Sequence, residues 1–185
     1  MNGALSPPIA GLTLRPMTHP WTPEDLFAYL DELGISVETI HHPAVYTVEE
    51  SKRLRGEIPG LHVKNLFLKD RKGNFWLIVA PETCEIRLKE LAKQLGAKSF
   101  SFAKPEVLME VLGIEPGSVT PFAVVNDSAR SVRVVIDHAL AHGALLNFHP
   151  LTNTATTNIT AEHFLHFLEA TRHTPEIVRI NAPEA

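Results

Sequence analysis

The sequence predicts an α+β fold in a single domain, and three observations favour it. Hairpin-like and helix-like segments follow one another without strict strand–helix–strand alternation, which argues against a doubly wound parallel sheet. The chain has 185 residues, enough for one substantial core. Its 44% hydrophobic and 21% charged residues are typical of a folded protein rather than a disordered one.

Residues 1–20 are expected to form an N-terminal extension and residues 21–185 the domain. The extension contains four prolines and lacks the basic-then-apolar pattern of a signal peptide. No apolar run reaches the roughly 20 residues that span a bilayer. The single cysteine, Cys84, precludes an internal disulfide and lacks an activating histidine in sequence, so we expect a spectator thiol in a reducing compartment. We therefore expect a monomeric cytoplasmic protein without a membrane partner.

The first half of the domain is predicted to hold two helices, a strand and a hairpin. Thr22 to Asp25 opens a helix with a hydroxyl cap, a proline and two acids, and Gly34 ends it. Ser36 to His42 is a strand candidate, and the capping box Thr47 to Glu50 begins a short helix. His62 to Lys69 and Phe75 to Ala80 are predicted to pair around the turn at residues 70–74.

The second half is predicted to contain three further helices and several strands. The helices are Arg87 to Leu95, Pro105 to Leu112 and Ala161 to Ala170, with Gly96, Gly113 and the Thr160 cap as boundary signals. The strand candidates are Phe122 to Asn126, Arg133 to Asp137, Ala144 to Phe148 and an edge strand at Ile177 to Ile180.

The loop that joins Ile114 to Phe122 is the most informative segment. Pro116 and Pro121 each fix their own φ, and Gly117 permits a sharp turn and a close approach by another molecule. Amides held between two prolines can bind a carbonyl oxygen or an oxyanion without a catalytic side chain. Taken alone, the segment is better explained as an ordinary Pro-Gly turn before a strand.

Three further motifs accompany this loop, in order. They are His42-Pro-Ala-Val-Tyr-Thr-Val-Glu-Glu50, Lys64-Asn-Leu-Phe-Leu-Lys-Asp70 and Phe148-His-Pro-Leu-Thr-Asn153. Together they resemble the YbaK/prolyl-tRNA synthetase-associated domains, which are trans-editing deacylases of mischarged aminoacyl-tRNA. The likeness runs from Thr22 to Ile180 and is strongest to the free-standing ProX-type enzymes, especially the ProXp-ala group, which removes alanine from proline tRNA. It implies a strongly curved, barrel-like mixed sheet with helices outside.

The resemblance assigns roles to residues at the matching positions. The loop Gly117 to Pro121 would bind the scissile ester, with donors among the amides of Gly117, Ser118, Val119 and Thr120, and Lys64 would place the terminal nucleotide or its phosphate. Asn65, Phe148 and His149 would contact substrate or line the pocket. From the residues alone, Lys64 also reads as a surface strand lysine, His149 as a core histidine and Phe148 as a packing residue. The hydroxyls of Ser118 and Thr120 have no visible base, so neither is expected to be a nucleophile.

Two groups of side chains could bind phosphate or a metal ion. Basic residues, Lys52, Arg53, Arg55, Lys64, Lys69, Arg71 and Lys72, bracket the lysine strand and are candidates for contact with acceptor-stem phosphates, although a solvated face is the ordinary meaning of such a run. The histidine pairs His138/His142 and His163/His166 share helical spacing, but no zinc motif occurs, so no metal or other cofactor is expected.

The function implied is hydrolysis of Ala-tRNA(Pro), with the tRNA(Pro) acceptor end as partner. Prolyl-tRNA synthetase or an elongation factor would be a transient partner. The net charge of −4 excludes a protein that coats nucleic acid but not a local basic patch. Two alternatives stay open: removal of cysteine from the same tRNA, and a tRNA- or synthetase-binding module without hydrolysis.

Overall fold

The computed structural model describes residues 18–44, 53, 56, 58–143 and 145–181. Residues 1–17 of the predicted extension, the capping box at Thr47 and most of the short helix after it lie outside these residues. Of that helix, Arg53 is described as helical and exposed. Within the described residues, no helix is long and apolar enough to cross a bilayer.

The helices are α1 (Pro23–Glu32), α2 (Leu88–Gln94), α3 (Pro105–Leu112), α4 (His138–Ala141) and α5 (Ala161–Ala170), with a 3-10 helix at Pro121–Asn126. The strands are β1 (Glu38–His41), β2 (Leu61–Asp70), β3 (Phe75–Pro81), β4 (Phe100–Phe102), β5 (Val132–Asp137), β6 (Leu145–Phe148), β7 (Ala155–Thr160) and β8 (Glu176–Val178).

Local capping accounts for where the longer helices begin and end. Thr22 and Asp25 form a reciprocal capping box at α1. Pro105 is the first residue of α3, and Gly113 closes it at φ +63°. The hydroxyl of Thr160 accepts a hydrogen bond from the His163 amide at the start of α5. These boundaries confirm the sequence predictions, because capping depends on residues adjacent in the chain.

All eight strands form one mixed sheet, which confirms the α+β prediction. The order is β1-β7-β6-β2-β3-β5-β8, and β4 pairs with β2 beside this path. The β2–β6, β3–β5 and β5–β8 pairs are parallel, and the others are antiparallel. The hairpin β2–β3 lies at the centre, so the motif beginning at Lys64 is on a central strand.

One edge of β2 changes partner along its length. It pairs with β6 at Leu61 and His62 and with β4 from Leu68 to Asp70. The Ala103 amide also donates to the Phe67 carbonyl at 3.0 Å. Among the described residues, 63–66 therefore have no strand partner on this edge. Because main-chain groups alternate sides along a strand, those of Asn65 face this opening, as the Phe67 carbonyl does.

The two faces of the hairpin enter different cores. Phe67, Leu77 and Val79 belong to the larger core, which includes the aromatic rings Phe122, Phe148, Phe164 and Phe167. Leu68, Trp76, Ile78 and Ala80 belong to a smaller core closed by Leu91 of α2. The side-chain alternation predicted for β2 is thus confirmed, and both faces of the hairpin are buried.

The predicted strand at Phe122 to Asn126 is wrong: this segment is a 3-10 helix. Pro121 occupies its first turn, and the Thr120 hydroxyl accepts from the Phe122 amide at 3.3 Å. The segment is apolar because it is buried on all sides, with Phe122, Ala123 and Val124 at 0% exposure. A short apolar run does not distinguish a buried strand from a buried helix.

We expect Asp70 to stabilise the β2–β3 turn strongly. Its buried carboxylate accepts hydrogen bonds from the amides of Lys72 and Asn74, the Asn74 side chain and the Trp76 indole, at 2.8–3.1 Å. Asp70→Ala leaves these donors without their acceptor, and we expect it to lower the free energy of unfolding by about 2–4 kcal/mol. Urea denaturation measures this, with Arg71→Ala in the same turn as an exposed control. A loss equal to that of the control would contradict the assignment.

Candidate active site

The loop from Pro116 to Thr120 presents main-chain donors. Gly117 lies at φ +88°, a left-handed conformation in which glycine is favoured. The Ser118 amide donates to the Glu115 carbonyl at 3.1 Å and is therefore occupied within the loop. Among the described residues, the amides of Gly117, Val119 and Thr120 have no hydrogen-bond acceptor. Thr120 is fully buried, so two of the four loop amides, those of Gly117 and Val119, are available to a ligand oxygen.

Asn65 holds the loop against the open edge of β2. Its Nδ2 donates to the Val119 carbonyl at 3.1 Å. In a trans peptide the carbonyl and the following N–H point in opposite directions, so this bond also orients the Thr120 amide. The Oδ1 of Asn65 is shielded from solvent and has no partner among the described residues. Asn65 therefore fixes the loop and keeps one acceptor unused.

A cavity of about 220 Å³ opens between the loop and the sheet. It is lined mainly by apolar side chains and by the loop, with Asn65 as its polar side chain. The lining residues are Asn65, Leu66, Phe67, Phe102, Ala103, Pro105, Leu108, Pro116, Gly117 and Val119. Phe102 is 62% exposed, so an aromatic face is available to solvent beside the cavity. The size suits a small acyl group.

Lys64 lies on the other face of β2 from Asn65. It is half-buried and shares that face with Leu66 and Leu68, which pack in the smaller core. Its charge acts on Cys84, which packs against the same core. Lys64 and the loop therefore flank the open edge of β2 from opposite faces rather than lying side by side.

His149 is placed as a neutral imidazole. Its Nδ1 lies 3.1 Å from the Ala155 carbonyl, which can only accept, so Nδ1 carries the proton and Nε2 is an acceptor. Burial lowers the pKa of His149 below its ordinary value of 6.5, partly offset by this hydrogen bond, and the nearby His42 lowers it further. His42 is itself held by Thr156, 2.9 Å from Nε2 to Oγ1.

The segment that begins at His149 reaches the loop at its other end. A Cβ placed on Gly117 would lie 3.8 Å from Nδ2 of Asn153. Asn153 is the last residue of the motif that begins at Phe148, and no role was predicted for it. Phe102 was not predicted as a site residue either, because β4 was not predicted and no local sequence pattern marks an exposed aromatic residue beside a distant loop.

Several predicted site residues are placed where packing, not ligand contact, explains them. Phe148 is 1% exposed, and its ring lies against Phe122 and Phe164, with centroids 5.6 and 4.6 Å apart. Its predicted pocket role is therefore replaced by a core role. Thr120 is fully buried and caps the 3-10 helix, and the ring of Pro121 is buried beside it. The Ser118 side chain is 6% exposed, and its amide is occupied, which removes it from the set of oxyanion donors.

The basic residues fall in two places. Lys69, Arg71 and Lys72 are exposed around the β2–β3 turn. Arg53 is exposed before β2, whereas Lys52 and Arg55 lie outside the described residues. Neither group lines the cavity beside the loop.

The His138/His142 pair and Cys84 do not form a metal site or a reactive thiolate among the described residues. The rings of His138 and His142 contact each other, with centroids 4.1 Å apart. The described part of the chain contains no group of three or more His, Cys, Asp or Glu arranged for a metal ion. Burial raises the pKa of the Cys84 thiol, and Asp137 adds to this, so a reactive thiolate is disfavoured.

Comparison with known proteins gives one consistent family. The profile of the aminoacyl-tRNA editing domain matches residues 42–167. Prolyl-tRNA synthetase associated domain-containing protein 1 of Danio rerio is 40% identical over 157 residues, covering 84% of this chain and 85% of that protein. Prolyl-tRNA editing protein ProX of Acetoanaerobium sticklandii is 36% identical over 156 residues, covering 84% and 95%.

A solved structure supports the same fold. The crystal structure of "a putative trans-editing enzyme for prolyl tRNA synthetase" superposes with a TM-score of 0.65 at 19% identity, covering 87% of this chain and 97% of that one. The matched profile includes the lysine strand, the loop and the His149 segment. The chain belongs to the aminoacyl-tRNA editing domain family.

Proposed function

We propose that this protein is a trans-editing deacylase that hydrolyses mischarged Ala-tRNA(Pro) in the cytoplasm, acting as a monomer on the tRNA acceptor end. The observation that carries the proposal is the loop at the open edge of β2. It offers two unoccupied amides, those of Gly117 and Val119, beside a small cavity. Donors of this kind stabilise the tetrahedral oxyanion of ester hydrolysis, and each is worth about 3 kcal/mol in a preorganised site.

The reaction needs no nucleophilic side chain. Water adds to the ester carbonyl carbon, the bond to the ribose oxygen breaks, and the ribose hydroxyl leaves with a proton. The amides of Gly117 and Val119 are proposed to hold the carbonyl oxygen as it gains charge. An aminoacyl ester is already activated, so a positioned water and this set of donors suffice.

A small cavity explains the choice of alanine. A proline-sized synthetase pocket rejects a smaller amino acid weakly, because missing methylene groups change binding by only about 1–3 kcal/mol. A second site that rejects proline by its shape supplies the missing discrimination. The cavity beside the loop is the proposed second site, and its apolar walls, rather than its volume of about 220 Å³, are proposed to exclude proline. The name of the Acetoanaerobium relative, a prolyl-tRNA editing protein, supports the choice of tRNA.

Hydrolysis of a panel of charged tRNAs tests the proposal. Alanyl-, cysteinyl-, seryl- and prolyl-tRNA(Pro) are incubated with the full chain and with Lys64→Ala. We expect fast release of alanine, no release of proline, and a large loss of rate in Lys64→Ala. Preferential release of cysteine would assign the cysteine-editing alternative. No hydrolysis above the buffer rate, with tRNA still bound, would leave a binding module without catalysis.

His149 is proposed to order or deprotonate the attacking water through Nε2. Because its pKa is lowered below 6.5, more than half of the imidazole is neutral at pH 6.5, where an unshifted histidine is half protonated. We expect kcat/KM, corrected for spontaneous hydrolysis, to fall along an acid limb whose midpoint lies below pH 6.5. In His149→Gln this limb should disappear. A wild-type limb centred above pH 6.5 would contradict the proposal.

The basic residues before β2 are proposed to contact acceptor-stem phosphates. A triple variant in which Lys52, Arg53 and Arg55 are each changed to glutamine should bind tRNA more weakly, with the largest loss at low salt. The slope of log affinity against log salt should be reduced by up to about 2.7. A triple glutamine variant of exposed Lys89, Lys98 and Arg179 controls for net charge. Filter-binding across a salt series measures both. Equal slopes in the two variants would remove these residues from the interface.

A further inference from the structure

A second pocket lies far along the chain from the loop, between the start of β5 and the turn after α5. Its volume is about 250 Å³. We call it the arginine pocket, because three of its lining residues are Arg130, Arg133 and Arg172. The others are Val132, Val134, His173, Thr174 and Glu176.

Two of these arginines lack an ion-pair partner among the described residues. Arg133 is paired with Glu176 and also stacks on Trp76, with its guanidinium 4.0 Å from the ring centroid. Within the part of the chain that the structure describes, no carboxylate forms an ion pair with Arg130 or Arg172. The lining holds three guanidinium groups and one carboxylate, and the Asp127 carboxylate lies behind His173, so the pocket with a neutral imidazole carries about one net positive charge.

The backbone places both unpaired arginines at the ends of turns. Arg130 has φ +53° and Arg172 has φ +61°, both in the left-handed region. Arg172 follows the Thr171 cap of α5, a position where glycine is the least strained residue. An arginine there accepts backbone strain, which is consistent with a use for its side chain.

His173 adds a buried donor or acceptor to the same pocket. It is 4% exposed, and its Nε2 lies 3.1 Å from Oδ2 of Asp127. Burial alone would raise the pKa of Asp127, but hydrogen bonds from His173, Ser131 and Val132 outweigh it, so the carboxylate is ionised and Nε2 donates. The other ring nitrogen, Nδ1, is buried without a partner among the described residues. Buried polar atoms of this kind ordinarily have one.

We propose that the arginine pocket binds a phosphoryl group, either free phosphate or a phosphate of an RNA backbone. The planar guanidinium fork matches the oxygens of phosphate, and two such groups beside a hydroxyl form a typical receptor for it. Thr174 supplies the hydroxyl. With Nε2 donating to Asp127, Nδ1 of a neutral His173 can accept a hydrogen bond from a protonated phosphate oxygen. This site is separate from the loop cavity and shares no lining residue with it.

Titration of the full chain with three probes tests this. The probes are inorganic phosphate, adenosine 5′-monophosphate and an RNA hairpin with an acceptor-stem duplex, followed by amide NMR shifts. We expect saturable shifts at Arg130, His173 and Thr174, and binding that is weakened about tenfold or more by Arg130→Gln and by Arg172→Gln. Arg179→Gln, an exposed arginine outside the pocket, should bind as wild type does.

The probes separate the two sources of the phosphoryl group. RNA bound more tightly than phosphate, and weakened by the same substitutions, assigns an RNA backbone. Phosphate or the nucleotide bound as tightly as RNA assigns a small free ligand. The absence of saturable shifts at these residues with all three probes would overturn the proposal, as would wild-type binding by the Arg130→Gln/Arg172→Gln double variant. Deacylation is not the readout, so the result does not depend on the loop.

Discussion

Gly117→Ala should lower kcat/KM for aminoacyl-tRNA hydrolysis by about a hundredfold while the protein stays folded. The Gly117 backbone lies at φ +88°, where an alanine is strained, although a Cβ there would meet Asn153 only at an ordinary contact distance of 3.8 Å. The strain is relieved by rotation of the loop, which misdirects the amides of Gly117 and Val119. Loss of one oxyanion donor in a preorganised site costs about 10²–10³ in rate.

A matched glycine separates this loss from a general loss of stability. Gly96 also has positive φ, +66°, at the end of α2, and a Cβ there meets no atom within 4 Å. Gly96→Ala should cost similar stability, about 1 kcal/mol, with unchanged kcat/KM. Thermal unfolding and steady-state kinetics of both variants make the comparison. If Gly117→Ala keeps wild-type kcat/KM, the loop is not the oxyanion site.

The sequence predicted most of the fold where local chemistry decides the structure. The limits of α1, α3 and α5 follow from caps and prolines, and the β2–β3 hairpin from its polar turn. The segment Phe122–Asn126 was misassigned, because burial on all sides removes the periodicity that distinguishes strands from helices. Strand β7, rich in threonine and asparagine, becomes a strand through pairing with β1 and β6, which no local pattern reveals.

The site was predictable in its parts but not in its arrangement. The resemblance placed Asn65 and the Gly117 loop in one predicted site, and in the structure a hydrogen bond from Asn65 to the Val119 carbonyl joins them. The unpaired stretch along one edge of β2 lies between its pairing with β6 and its pairing with β4. It therefore depends on contacts between strands that are distant in the sequence. Likewise, the core role of Phe148 and the capping role of Thr120 depend on burial, which a motif match cannot show.

The position of Lys64 gives the second large expected effect. Lys64→Met keeps the aliphatic stem, which shares a face with Leu66 and Leu68, and removes only the charge. If the ammonium binds a phosphate of the single-stranded acceptor end, its loss removes a charge-assisted hydrogen bond. Such a bond is worth about 1.5–3 kcal/mol, so kcat/KM should fall by about 10- to 150-fold. Lys64→Arg keeps the charge and should retain part of the activity.

Salt dependence distinguishes phosphate contact from a structural role. A cation that neutralises one phosphate of a single strand contributes about 0.7 to the slope of log kcat/KM against log salt, and Lys64→Met should reduce the slope by that amount. Lys89→Met, an exposed lysine on α2, should change neither the rate nor the slope. If Lys64→Met loses rate but keeps the wild-type slope, its charge acts within the protein, for example through the environment it shares with Cys84, and not on the RNA. A reduced slope instead places the acceptor end at the open edge of β2, where it can approach Lys64 on one face and the loop on the other.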